Sequence, residues 1–173
     1  VSYDHEFYPG KLKLIADPPA VLYFKGTFPR LNDRLAIGVV GTRKMTEYGK
    51  TIAYKIAYEL GGADVVVVSG MALGIDAVAA CAAIAAKGKT IAVLGCGIDV
   101  EYPLENMQLK QRILSSKGAV ITQFFPTEEP KASNFPIRNK LLSALSHCTA
   151  VIEAPLGSGA LLTASYANAQ GKK

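Results

Sequence analysis

The chain has no tryptophan, two histidines and three cysteines among 173 residues, and each shortage excludes a class of chemistry. His5 and His147 are too few and too far apart in sequence for a histidine-based metal site, and neither belongs to a recognisable nucleophile triad. Cys81, Cys96 and Cys148 are odd in number, lack C-x-x-C spacing and sit in apolar surroundings, so they read as buried free thiols in a reducing cytoplasm. Every hydrophobic run is cut by Gly, Asp or Lys within about ten positions, short of the ~18–20 residues a membrane helix needs. No secretory leader is visible, because Asp4, His5 and Glu6 stand where a basic and then apolar segment would be required. Charged residues are 19% against 50% hydrophobic, which is the composition of a folded chain rather than a disordered one.

Short β-branched runs alternate with segments of helical period. Residues 35–40, 64–69, 90–94, 119–123 and 149–153 are continuous apolar runs, as expected of strands covered on both faces. Between and after them, 46–60, 74–86, 106–116, 136–145 and 159–169 read as helices. Thr46 and Ser158 are placed to cap first turns, and Gly61, Gly88, Gly118 and Gly171 stand where helices should stop. The alternation predicts an α/β fold: a doubly wound, mostly parallel sheet of the extended Rossmann-like kind. Residues 1–34, with a Pro18-Pro19 break and one strand-like run at 21–24, read as an N-terminal appendage packed on a core of residues 35–173. The chain opens on Val1 and stops after Lys173, where the alternation calls for another strand, so the expectation is an excerpt truncated at its C-terminus.

In an open parallel sheet ligands lie beyond the carboxyl ends of the strands, so the turns that follow the strands are the place to look. The first strand leads into Gly41, Thr42, Arg43 and Lys44; the second into Ser69 and Gly70; the third into Gly95 and Gly97; the fifth into Ser158 and Gly159. Four Gly-bearing turns at one edge bring bare amides and helix N-termini together, the means by which proteins hold phosphate. Neither the dinucleotide fingerprint nor the nucleotide-binding P-loop occurs, which argues against NAD and ATP, and no cofactor or metal is expected. Arg43 is expected to clamp a phosphate beside the Ser69 and Ser158 hydroxyls. Asp76 reads as a helix-dipole partner, and Glu153 as the salt-bridge partner of Arg43 or Arg138. Segment 131–140 sets Lys131, Arg138 and Lys140 around Phe135, a pattern suited to stacking a base while holding phosphates, although the segment taken alone favours a helix-start staple with ordinary surface charges.

Taken in order, these stretches resemble the DNA processing protein A family (DprA, also called Smf). The resemblance rests on Tyr8-Pro9; Asp17 to Tyr23 with Lys25-Gly26; Val40 to Arg43 with Thr46 and Tyr48-Gly49; and Val68 to Gly70 with Ala72 and Gly74 to Asp76. It continues through 88–95, Asp99 with Tyr102-Pro103 and Asn106, Asn134 to Pro136 with Arg138-Asn139, Val151 to Ala154, and Ser158-Gly159 with Leu162 to Ala164. The family implies a cytoplasmic, non-enzymatic protein of natural transformation that binds single-stranded DNA, forms a homodimer and helps load RecA recombinase. Its DNA pocket carries over onto Gly41, Thr42, Arg43, Ser69, Gly70, Phe135, Arg138, Asn139, Ser158 and Gly159, with Lys131 and Lys140 as further cations. Leu73, Ala80 and Thr122-Gln123 depart from the family pattern, and its usual C-terminal winged-helix module is absent from this sequence.

Two other functions compete. One is a nucleoside-monophosphate phosphoribohydrolase on a related scaffold, which the turn from Pro155 to Thr163 disfavours because it lacks an acid. The other is a nucleotide-sensing domain, which competition between mononucleotide and oligonucleotide distinguishes.

Overall fold

The computed structural model describes residues 1–173. Six strands form one sheet: β1 (Tyr23–Gly26), β2 (Ala36–Val40), β3 (Val66–Ser69), β4 (Thr90–Val93), β5 (Ala119–Thr122) and β6 (Cys148–Val151), in the order β1-β5-β4-β3-β2-β6. All neighbours run parallel except β1, which pairs antiparallel with β5 and sets Tyr23 opposite Thr122. Five helices follow the strands: α1 (Glu47–Gly62), α2 (Ile75–Ala85), α3 (Met107–Ser115), α4 (Asn134–Leu145) and α5 (Gly159–Ala169). The doubly wound α/β reading is thus correct, and the predicted helices lie within a few residues of the observed ones. None is long and apolar enough to cross a membrane.

Helices α1, α2 and α3 pack on one face of the sheet, α4 and α5 on the other. The continuous apolar runs follow from this double covering: β3, β4 and β5 are buried at every position. On the α4 side, Leu141, Leu142 and Leu145 meet Val66, Val68, Ile91, Val93 and Ile121 in the largest core cluster. Tyr8, Leu12, Leu22 and Leu31 belong to the same cluster, so residues 1–34 add side chains to the core as well as the edge strand β1. On the opposite face Ala57, Ala79, Ala82 and Ala83 let α1 and α2 lie close together over Val39 and Val67.

Three local expectations need correction. The second parallel strand starts at Val66 rather than at residue 64, because Asp64 adopts a left-handed backbone (φ 58°) and its carboxylate is held by Arg34 and Lys89. Helix α4 starts at Asn134, two residues before the predicted Pro136, since proline is tolerated within a first turn where its missing N–H has no helical partner. Of the three thiols Cys96 alone is buried, while Cys81 and Cys148 are half-exposed.

The connection through α4 positions the site. From β2 to β5 each strand is added on the same side, but β6 is laid on the opposite side of β2. The chain segments leaving β2 and β6 therefore diverge, and a crevice opens at this reversal of strand order.

Candidate phosphate and strand-binding cleft

A cavity of about 790 Å³ occupies that crevice. Gly41, Thr42, Arg43 and Lys44 wall it from the end of β2, and Glu153, Ala154 and Pro155 from the end of β6. Ser158 and Gly159 contribute the start of α5, and Phe135, Arg138 and Asn139 the first turns of α4. Backbone bonds brace the rim: Thr42 N donates to the Glu153 carbonyl (2.6 Å) and Ile75 N to the Thr42 carbonyl (3.2 Å). The second contact requires Gly74, whose φ of +79° and close approach to the Arg43 carbonyl exclude a side chain.

Arg138 is buried, at 6% exposure. Its Nη1 donates to the carbonyls of Gly70 and Val93, and its Nε donates to Asn139 Oδ1 at 3.0 Å. Asn139 Nδ2 donates in turn to the Gly159 carbonyl at 3.1 Å. This chain of bonds ties the ends of β3 and β4 to the first residue of α5. The nearby charge is Asp76, also buried, whose carboxylate accepts from Gly70 N at 3.0 Å. Burial pushes the Asp76 carboxyl above its ordinary range, while Arg138 and the surrounding amides oppose that shift. Burial likewise lowers the Arg138 guanidinium, and Asp76 opposes it. Asp76 is therefore an interior counter-charge as well as a first-turn acid, a role for which residue spacing offered no signal.

Arg43 is the contrasting cation. It is exposed, forms no ion pair, and lies with its guanidinium carbon 5.8 Å from the centroid of Phe135. Arg138 is 5.7 Å from the same ring, so a half-buried aromatic is within reach of both an interior guanidinium and a free one.

Two helix starts differ in chemistry: that of α5 lines the cavity through Ser158 and Gly159, whereas that of α1 reaches it only through Glu153, the partner of Thr46. At α1, Thr46 Oγ1 accepts from Gly49 N (3.0 Å), and Glu153 Oε2 accepts from both the Thr46 amide (2.9 Å) and the Thr46 hydroxyl (3.2 Å). The expected salt bridge of Glu153 to Arg43 or Arg138 is corrected accordingly: its carboxylate is drawn to the positive end of α1. At α5, Ser158 makes no capping bond, and its buried Oγ has no hydrogen-bond partner.

The remaining sequence-based site residues fall elsewhere. Ser69 is inside the sheet, its hydroxyl donating to the Val39 carbonyl at 2.8 Å, so it does not stand beside Arg43 as expected. Gly70 lies at the wall of a second, neighbouring cavity. Lys131 is exposed, with its Nζ 3.6 Å from Glu128. Lys140 donates to the Ala16 carbonyl (2.7 Å) and approaches Asp17 (3.9 Å), away from the crevice. Lys44, Ala154 and Pro155 were not singled out as ligand contacts, although they follow the same strand ends and are legible by that rule.

Comparison with known proteins adds to this geometry. The family model for DNA recombination-mediator protein A matches residues 1–173. Protein Smf of Synechocystis is 41% identical over 171 residues, covering 95% of this chain and 42% of that protein. The X-ray structure of DNA processing protein A from Streptococcus pneumoniae superposes with a TM-score of 0.91 at 35% identity, covering all of this chain and 60% of that one. The Helicobacter pylori homologue, whose structure was described for its single-stranded DNA binding mode, gives a TM-score of 0.89 at 32% identity, over 97% of this chain and 76% of that one. The chain spans about half the length of the curated relatives it matches.

Proposed function

The chain belongs to the DNA recombination-mediator protein A family, and from that premise we propose that its crevice binds single-stranded DNA, seating a phosphate at the start of α5 and a base against Phe135. The observation that carries this is the uncapped start of α5: Ser158, whose buried Oγ has no hydrogen-bond partner, belongs to a cavity wall shared with Arg43 and Lys44. An anion there would meet a hydroxyl, first-turn amides and two cations that form no ion pair within the protein. A strand suits the site better than an isolated anion, because Phe135 supplies an aromatic platform and base stacking contributes ~1–3 kcal/mol per base. Nucleotide hydrolysis is disfavoured by the state of the two acids at the cleft. Glu153 is bound to the start of α1 and Asp76 to the Gly70 amide, so neither is a free general base.

Gly41 and Thr42 shape the rim, Asn139 positions Gly159, and Lys131 lends charge from outside. The same proposal includes a homodimer that delivers the bound strand to a RecA recombinase during natural transformation in the cytoplasm. The description of the matched family as a recombination mediator supports the recombinase step.

The test is a titration of labelled oligothymidine at several salt concentrations. The logarithm of affinity should fall linearly with the logarithm of salt, at about −0.7 per phosphate contacted. Arg43→Ala should weaken binding about tenfold or more and reduce that slope by about one contact. Salt-independent affinity, or an Arg43→Ala protein that binds like the parent, would contradict the proposal.

A further inference from the structure

The crevice lies beyond the carboxyl ends of the strands, and the opposite edge, where the parallel strands begin, carries a row of cations. Lys117 stands two residues before β5, Lys89 directly before β4, Arg34 two residues before β2 and His147 directly before β6. The pairing of Ile91 with Ala119, continued back along both strands, sets Lys89 beside Lys117, and that of Ala36 with Val66 sets Arg34 beside Asp64. Adjacent strands are about 4.8 Å apart, so the row from β5 to β6 is roughly 19 Å long. At its β6 end the Lys11 Nζ lies 2.8 Å from His147 Nδ1, and Lys172 donates to the Ser143 and Ala144 carbonyls at the end of α4. Burial and the nearby Lys11 bring the pKa of Lys172 down to about 8.

The acids of this edge do not neutralise the row. Asp64 is engaged by Arg34 and Lys89 together, while Asp33 and Glu59, in the segments that lead into β2 and β3, form no ion pair with it. Attraction to the end of a helix accounts for Lys172, which is bonded there. Lys87 and Lys117 are different. Both are exposed and neither forms an ion pair, yet both hold the left-handed backbone, φ 58° and 62°, with which α2 and α3 turn into the next strand. Glycine or asparagine is the ordinary occupant of that position, and here a cation takes it twice at one edge of the sheet.

We propose that the edge where the parallel strands begin is a second contact surface for a nucleic-acid backbone, holding phosphates without reading bases, on the side of the molecule opposite the crevice. The identity of the polyanion rests on the single-stranded DNA function proposed above; the row of cations stands without it. A strand longer than the crevice brings further phosphates to the protein, and ammonium groups hold them as point charges. At about 3.4 Å of rise per phosphate along a stacked strand, the row faces about six of them.

Lys87→Asn combined with Lys117→Asn tests this on the whole chain, because asparagine tolerates the left-handed backbone and the substitution removes the charge. Oligothymidines of about 8 and about 40 nucleotides separate the two surfaces, since the shorter is within the usual span of one strand-binding site. The double variant should bind the long oligomer about three- to tenfold more weakly, with a salt slope smaller by about 1.4, two contacts at about 0.7 each. It should bind the short oligomer, seated in the crevice, like the parent, and unfold at the parental urea midpoint. A duplex of the longer length, which presents phosphates but no free base, should show the same loss. Equal affinity of parent and double variant for the long oligomer, or an equal loss at both lengths, overturns the second surface; if Arg43→Ala still weakens the short oligomer, binding in the crevice stands. A short oligomer that is not bound, or that ignores Arg43→Ala, removes binding in the crevice, and the second surface then stands on the long oligomer's loss in the double variant.

Discussion

The starts of α1 and α5 both lie at the rim beyond the strand ends, have equivalent sequence signals, and end in opposite states. Thr46 and Ser158 are both hydroxyl residues at an N-cap position. Thr46 closes its own helix, and Glu153, arriving from the end of β6, adds a carboxylate where a bound anion would otherwise sit. Ser158 closes nothing and has no acid beside it. The difference teaches that helix N-termini at a strand edge are not interchangeable as anion sites. The available one is the one the protein's own acids have left empty. The start of α2 belongs with α1 in this respect, since Asp76 lies in its first turn and holds the Gly70 amide.

The largest effect should come from the support that holds α5 in place. Replacing Arg138 with Ala removes the donors to Gly70, Val93 and Asn139 and leaves the Asp76 carboxylate buried without its counter-charge. Urea unfolding should register a loss of about 3–5 kcal/mol, the usual cost of stranding one member of a buried charged pair. A loss below about 1 kcal/mol would mean that the guanidinium is not a support at all.

Next, the two caps should respond in opposite assays. Thr46→Ala should destabilise the fold by about 1 kcal/mol, because a capping bond is lost. Ser158→Ala should change stability by less than about 0.5 kcal/mol, since no bond within the protein is broken, yet weaken oligothymidine several-fold. Equal behaviour in both assays would erase the distinction between the two helix starts.

The effect expected to be smallest on strand binding is a control far from both. Tyr8 is fully buried, its hydroxyl donates to the Pro19 carbonyl at 2.6 Å, and burial pushes its pKa from 10.0 up to about 12. A folded-state pKa above the unfolded one contributes stability that is complete below pH 10 and is lost as pH rises toward about 12. Tyr8→Phe should cost roughly 0.5–1.5 kcal/mol at neutral pH and flatten the fall in stability across that alkaline window, measured by urea melts at stepped pH. An unchanged alkaline slope would place the titrating group elsewhere, and any effect on strand binding would show that residues 1–34 communicate with the cleft.

Much of the fold was legible because the strands are covered on both faces and therefore appear as uninterrupted apolar runs. The Gly-bearing turns were legible by the same logic, since parallel strands must deliver their following residues to one edge. The fate of individual side chains was less so. Glu153 contacts Thr46 across 107 positions of sequence, and no local pattern reports such a partner. Of the cations near Phe135, Lys140 turns to residues 16 and 17, Lys131 to Glu128, and Arg138 into the interior. Tyr102 lies in a strand-to-helix connection whose residues carried no separate ligand signal, so the second cavity emerged only when α4 brought Phe135 against Gly95.

The order of residues alone determined a doubly wound sheet with its glycine turns gathered at one rim, because hydrophobic periodicity and turn chemistry are local and add up along the chain. Which arginine became a buried support and which stayed free, and which helix start was closed by an acid and which left open, were settled only by the tertiary structure. Those outcomes depend on the crossover through α4, which sets β6 on the far side of β2 and brings distant charges within hydrogen-bonding reach.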